Sequence, residues 1–276
     1  MGYVGRGYLE MKRRSLPALL GALTVLIPSG QAIAAAGGAA ATTVSIVHRP
    51  MLARSVFDDN VQSSNWSGYA VSTTNATKVV GSWTVPTASC SRRSSTYASF
   101  WVGLDGYSSN SVEQLGTDSD CSRGAPTYYA WFEMYPAPSV SLSRYTYPVR
   151  AGDTLTAAVT RSGTSYTLSL TDPAEGWQFS QAETGSDADA SAEWVAEAPE
   201  LCNAFYCSLA NLTNFGTVTF SGAKASDATG TGSISSFAAD GDLHDITMVT
   251  STGAVKAQPS GLDGTGSTFR DTWYHA

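Results

Sequence analysis

From Gln62 onward the chain alternates short hydrophobic and β-branched runs with clusters of Gly, Pro, Asn, Asp and Ser. No stretch keeps its apolar residues at helical spacing, so the pattern predicts strands throughout. Residues 154–160 and 165–171, either side of Arg161-Ser162-Gly163-Thr164, read as a hairpin. Residues 216–221 and 246–251 read as further strands. Many short strands at this spacing build an all-β sandwich or barrel.

Successive residues of a strand point to opposite faces, and this parity sorts the aromatic-rich segments. Tyr128, Ala130, Phe132 and Met134 form a core face, opposed by Tyr129, Trp131, Glu133 and Tyr135. Phe100, Val102 and Leu104 oppose Trp101, Gly103 and Asp105 in the same way. Ala192, Trp194 and Ala196 oppose Ser191, Glu193, Val195 and Glu197. The expectation is a sheet whose second face is a lined cleft.

Residues 1–36 carry the three parts of a secretory signal peptide: Lys12, Arg13 and Arg14, an apolar run from Leu16 to Pro28, and a small-residue cleavage site around Ala34. The run is short of the roughly 20 residues that span a bilayer. Residues 37–60 are Ala/Gly/Thr-rich, then bear His48-Arg49-Pro50 and Arg54, and read as a pro-segment or linker; a disordered mature N-terminus fits that composition equally. Residues 61–276 remain as a single β-sandwich domain. The chain is expected to be extracellular, and off the membrane once the leader is removed.

A net charge of −7 with a basic leader leaves the rest more acidic still, which argues against nucleic acid as a partner. Only 14% of residues are charged, so few groups must be protonated as pH falls, and acid destabilisation is limited. The four cysteines, Cys90, Cys121, Cys202 and Cys207, allow three pairings. Cys202 and Cys207 are close enough to staple a short loop, and Cys90 and Cys121 flank the stretch bearing Gln114, which favours those two bridges. With no CxxC pair and only His48, His244 and His275 available, no metal and no cofactor is expected. No long apolar surface pattern stands out, so a monomer is expected.

Amide hydrolysis without a nucleophilic side chain needs a base for water, a donor for the oxyanion and an acid for the leaving amine. Glu193 as base and then acid, with the Gln114 amide as oxyanion donor, meets those needs, because Gln cannot ionise and Glu can make both proton transfers. A base near the free Glu value of about 4.3 implies an acidic optimum. There is no GxSxG elbow and no HExxH, and none of the three histidines sits in a recognisable catalytic setting. Taken singly, Glu193 and Gln114 read as surface groups, Trp66 and Trp101 as core, and Asp105 and Asp118 as turn-formers beside Gly106 and Gly116. A rival reading makes Glu133 and Glu193 the carboxylates of a secreted glycoside hydrolase, with Trp66, Trp101 and Tyr135 stacking on sugars, but it leaves Gln114 without a task. A non-enzymatic carbohydrate-binding module is a third.

The order of the motifs favours the first. Asn65-Trp66-Ser67-Gly68, then Trp101-Val102-Gly103-Leu104-Asp105-Gly106, then Gln114-Leu115-Gly116-Thr117-Asp118, then Trp131-Phe132-Glu133-Met134-Tyr135-Pro136, then Ala192-Glu193-Trp194-Val195-Ala196-Glu197 resemble the glutamic peptidases, or eqolisins, in the family's order. The resemblance runs from Asn65 to about Val218. It implies a sandwich of two curved antiparallel sheets, concanavalin-like or jelly-roll, with a substrate groove on one face. It implies a secreted acid endopeptidase acting on protein or peptide substrates, with Gln114 and Glu193 as the catalytic pair. Trp66, Gly68, Trp101, Asp105, Gly106, Glu133 and Tyr135 are then expected to bind substrate, with Asp118 in support. The short leader, brief pro-segment and four cysteines bring the chain closer to single-chain bacterial members than to two-chain fungal ones. The stretch after Ser221 matches nothing diagnostic.

Overall fold

The structure is a computed structural model that describes residues 44–57 and 60–276. The expected leader and the first part of the 37–60 segment lie outside the described residues. Everything described belongs to one unit, Thr42–Ala276.

The unit is almost entirely β, as its turn-punctuated sequence predicts, with a short 3₁₀ turn at Ile234–Asp240. One sheet runs Trp177–Thr184, Ser165–Asp172, Thr154–Ser162, Lys78–Thr84, Thr217–Asp227, Phe269–Trp273, every neighbour antiparallel. The other runs Leu243–Val249, Trp66–Ser72, Ser191–Glu197, Ser99–Leu104, Val112–Ser122, Ala125–Tyr135, again antiparallel. Val255–Pro259 pairs with a strand of each and joins them along one edge. Asn60–Ser63 adds a parallel pairing to Leu243–Val249.

Burial follows the side-chain period. Thr154–Ser162 and Ser165–Asp172 alternate buried with exposed or half-buried positions, the mark of a sheet with one face to solvent. Their hairpin is tighter than expected, with Ser162 opposite Ser165 and Gly163 at φ +61° in the two-residue turn. Ser191–Glu197 and Ser99–Leu104 are instead buried at every position, so the second sheet is covered on both faces. Phe100, Val102, Leu104, Leu115, Ala130, Ala192, Trp194 and Ala196 face the other sheet, in the core with Trp83, Leu155, Leu168 and Phe220. Trp66, Trp101, Trp131 and Val195 pack together on the opposite side, as parity requires.

The stretch after Ser221, without a diagnostic motif, completes the sandwich: Leu243–Val249, Val255–Pro259 and Phe269–Trp273 are the strands that close its edge. Both expected disulfides form, Cys90–Cys121 and Cys202–Cys207.

Close packing against backbone constrains Gly116. A Cβ at Gly116 would lie 2.3 Å from the Phe100 carbonyl oxygen and 2.5 Å from Trp101 Cβ. Gly116→Ala should destabilise the chain by at least about 2 kcal/mol in chemical unfolding, since the obstacle is main chain that cannot swing aside. Gly261→Ala, with nothing within 4 Å of the added carbon, is the matched control and should be near neutral. Equal unfolding midpoints for the two would contradict this account.

Candidate active site

Strand register lays three rows of side chains across the second face. Glu193, Gly103, Gln114 and Glu133 form one row, Val195, Trp101, Gly116 and Trp131 the next, and Glu197, Ser99, Asp118 and Tyr129 the third. The two glycines make room for the Trp101 ring: a Cβ at Gly103 would come 2.9 Å from Trp101 Cζ3. Seated there, Trp101 Nε1 donates to Glu197 Oε2 at 2.9 Å, and its ring meets Trp66 edge-on at 4.9 Å.

Residues 45–52 lie over these rows. Ser45–Val47 pairs antiparallel with Glu200–Cys202, adding a strand to the hairpin that Cys202–Cys207 closes. His48 follows, only 1% exposed, its ring stacked on Trp131 at 3.5 Å and 1°. Its backbone N–H donates to Glu133 Oε2 at 3.0 Å, its Nδ1 is 2.9 Å from the same oxygen, and its Nε2 is 3.4 Å from Asp118 Oδ1. Burial alone would lower the imidazole pKa, but Asp118 and then Glu133 outweigh it and raise it to about 10.

The next peptide group is held from both ends. Gln114 Nε2 donates to the His48 carbonyl at 2.7 Å, and the Arg49 N–H donates to Glu197 Oε1 at 3.2 Å. Trp66 Nε1 then donates to the Arg49 carbonyl at 3.0 Å, while the Arg49 guanidinium pairs with Glu200 at 3.0 Å and reaches the Tyr135 hydroxyl at 3.4 Å. Met51 N–H meets the Gly106 carbonyl at 3.0 Å and Leu52 N–H meets Asn65 Oδ1 at 2.8 Å. Burial raises the Glu197 pKa to about 8, against the lowering effect of His48 and of the Trp101 hydrogen bond.

Of the residues expected from sequence, Gln114, Trp66, Trp101, Glu133, Tyr135, Gly106 and Asp118 converge here. Three do not. Glu193 is fully buried beside the Ser191 side chain, the Tyr107 backbone and Asp105, with burial pushing its pKa well above the usual range, and it makes no hydrogen bond to residues 45–52. Asp105, in the left-handed region at φ +68°, accepts the Asp189 and Ala190 N–H groups at 2.7 and 2.8 Å, which anchors a loop. Gly68, at φ +138°, would put a Cβ 2.1 Å from the Trp194 carbonyl oxygen, so it serves strand packing.

Sequence reasoning missed Glu197, His48, Arg49, Asn65 and Glu200. The signal for Glu197 was present, since it shares parity with Glu193 four residues earlier. His48-Arg49-Pro50 carries no motif signal in the sequence, and His48 nonetheless lies buried in the cleft. Among the described residues one grouping has metal-ligand character, Glu200 with Cys202 and Cys207, but the disulfide takes both sulfurs and Arg49 takes the carboxylate.

Known proteins share this sequence pattern and this fold. The chain is 32% identical to aspergillopepsin-2 of Aspergillus niger over 187 residues, covering 59% of this chain and 64% of that protein. It is 34% identical to scytalidopepsin B of Scytalidium lignicola over 146 residues, 51% of this chain and 54% of that one. The chain thus spans somewhat over half the length of these relatives. A crystal structure of scytalido-glutamic peptidase with a transition state analog inhibitor superposes with a TM-score of 0.67 at 26% identity, covering 76% of this chain and 98% of that one. The pattern of the Peptidase A4 family matches residues 64–263, and the chain belongs to that family, the glutamic peptidases.

Proposed function

We propose that the protein is a secreted acid endopeptidase in which Gln114 and Glu197, rather than Gln114 and Glu193, hydrolyse peptide bonds. The observation that carries the pairing is the His48–Arg49 peptide group, whose carbonyl meets Gln114 and whose N–H meets Glu197. The ionised form of Glu197, which the His48 charge and the Trp101 hydrogen bond favour against burial, takes a proton from water as the hydroxyl adds to the carbonyl carbon. The Gln114 carboxamide N–H stabilises the oxyanion, and Glu197 returns the proton to the departing nitrogen. Trp101 holds the carboxylate by its second oxygen, while Trp66 and Gly106 bind main chain on the leaving side. Two disulfides and the sequence of residues 1–36 support secretion.

The glycoside hydrolase reading loses ground on spacing. Glu193 and Glu133 are three strand spacings apart in register, roughly 14 Å at about 4.8 Å per strand. That exceeds the 9.5 Å or so of an inverting pair, and Glu133 is engaged with His48.

With a denatured protein as substrate, Gln114→Ala should lower kcat/KM by about 10²- to 10³-fold and Glu197→Gln by about 10²- to 10⁴-fold, both with normal far-UV circular dichroism. Glu193→Gln should stay within about tenfold of the parent, the scale of a packing change rather than a lost proton transfer. An inactive Glu193→Gln beside an active Glu197→Gln would restore the pairing expected from sequence.

Working in acid suits the fold itself. Burial raises the carboxyl pKa of Glu113 to about 10 and of Asp271 to about 8. A carboxyl whose folded pKa lies above its unfolded value of about 4 contributes fully below that value, and its contribution is lost as pH rises through the folded pKa. Stability should therefore be greatest near pH 4 and fall through pH 8 to 10. In the Gln114→Ala background, which retains all of these carboxyls, Tm should drop by at least about 5 °C from pH 4 to pH 9.5, given roughly 2–4 °C per kcal/mol at this size. A flat or rising Tm over that range would refute the assignment of the buried carboxyls.

A further inference from the structure

We propose that Tyr129 and Asp120 are positioning residues that hold a single shared proton behind Asp118, and that loss of this proton as pH rises sets the alkaline limit of hydrolysis. The inference rests on the peptidase reading above and adds to it the groups that bound its pH range.

The trio lies at the end of the third row. Tyr129 faces Asp118 across the strand pair, and Asp120 follows two residues on, on the same face. The Tyr129 hydroxyl oxygen is 2.7 Å from Asp118 Oδ2 and 2.8 Å from Asp120 Oδ2. A hydroxyl has one proton and can donate to only one of two carboxylates. The other contact is a hydrogen bond only if that carboxyl is protonated and donates to the hydroxyl oxygen. Two carboxyls at these distances from one phenol therefore carry one negative charge between them rather than two.

The surroundings decide which carboxyl keeps the proton. Burial, and then the Asp118 charge, raise the Asp120 pKa to about 8, against the Tyr129 hydrogen bond, the His48 charge and the Ala98 N–H. Burial and the two neighbouring carboxylates raise the phenol above its ordinary value, so Tyr129 stays protonated. Asp120 accordingly donates to Tyr129, and Tyr129 donates to Asp118. Asp118 is itself fully buried, and its Oδ1 makes no hydrogen bond to any described residue. That oxygen points to the groove, 3.4 Å from Nε2 of the His48 ring whose Nδ1 meets Glu133. The tether to Tyr129 thus gives Asp118 one orientation, with its charge toward the groove.

That charge bears on Glu197, which lies two strands away in the same row with Ser99 between, and whose ionisation Asp118 opposes. When Asp120 ionises, a second charge joins the first in a dry environment, and Tyr129 is divided between two acceptors. Both changes act against the ionised base and the developing oxyanion, and the second also frees Asp118 to turn. A clasp that merely joins Val112–Ser122 to Ala125–Tyr135 would add little, because those strands pair along their whole length.

Two measurements test the proposal, one of them independent of activity. In the Glu197→Gln chain, carboxyl carbon NMR should show an aspartate signal that titrates near pH 8, beside that of Asp271, and that disappears when Asp120→Asn is added. In the active chain, kcat on a denatured protein is followed from acid to about pH 9, at a temperature where far-UV circular dichroism is constant. Asp120→Asn, whose carboxamide N–H donates to Tyr129 at every pH, should stay within about threefold of the parent at about pH 4 and move the alkaline limb up by at least about one pH unit. Tyr129→Phe, which unties Asp118 without removing a carboxyl, should lower kcat at about pH 4 by about tenfold with KM within about threefold. An alkaline limb unmoved in a folded Asp120→Asn chain overturns the proposal and leaves the peptidase reading standing. An Asp120 signal that titrates below about pH 5 overturns it as well. Should Asp120→Asn not fold, a parent-like kcat and pH profile in Tyr129→Phe overturns it independently. A folded parent that hydrolyses nothing at any pH ends the peptidase reading and the alkaline limit with it, whatever the titration shows.

Discussion

A peptide group taken out of water must have both its carbonyl and its N–H satisfied, and on this face the two halves of the His48–Arg49 bond are met by different chemistries. A neutral carboxamide can only donate to the carbonyl without ionising. A carboxylate can accept from the N–H and later carry a proton. The side chains that satisfy a bound peptide are thus also those that would polarise its carbonyl and protonate its nitrogen. Much of the second sheet serves to hold these two groups on either side of one peptide.

That requirement reaches into the packing. Glu197 is positioned by Trp101, which has its place because Gly103 carries no side chain to meet its ring and Gly116 none to meet its Cα and Cβ. Gly116 also abuts the Phe100 carbonyl, so the clearance for the ring and the closeness of the strands are one constraint. Cys90–Cys121 ties the far end of the Gln114 strand, and Cys202–Cys207 braces the hairpin along which residues 45–47 lie. A rigid platform matters because hydrogen bonds weaken steeply as their angle and distance drift.

The same face concentrates acids in a dry environment. Glu133, Asp118 and Glu197 lie together, and Glu193 lies beside Asp105 at the other end of the row. Ionised together they would repel one another at low dielectric, so the arrangement is tolerable where the carboxyls are neutral or where a cation such as the His48 imidazolium sits among them. A groove of this kind and an acidic medium suit each other. The sparse charge of the rest of the chain fits that setting.

Local periodicity and turn chemistry, read from sequence, determined the all-β class and the faces of the three aromatic-rich strands, and loop spacing favoured both disulfides, because alternation and spacing are local properties; most of the residues that converge on the groove came instead from the order of motifs that resembles the glutamic peptidases. Parity selects a face but not a row. It left Glu193 and Glu197 equivalent, and only the register of three strands, together with the ring of Trp101, distinguishes the carboxylate that meets a peptide from the one buried beside Asp105. Likewise the stretch after Ser221, where the sequence marks only 246–251 as a strand, closed the sandwich through pairing with distant partners, and residues 45–52, unremarkable by composition, gained a place only when Glu200–Cys202 offered them an edge and Trp131, Glu133 and Asp118 enclosed His48. Contacts between residues far apart in the chain carry no periodic signal, so the sequence determined what kind of surface each strand would present, and the tertiary structure decided which groups on that surface meet.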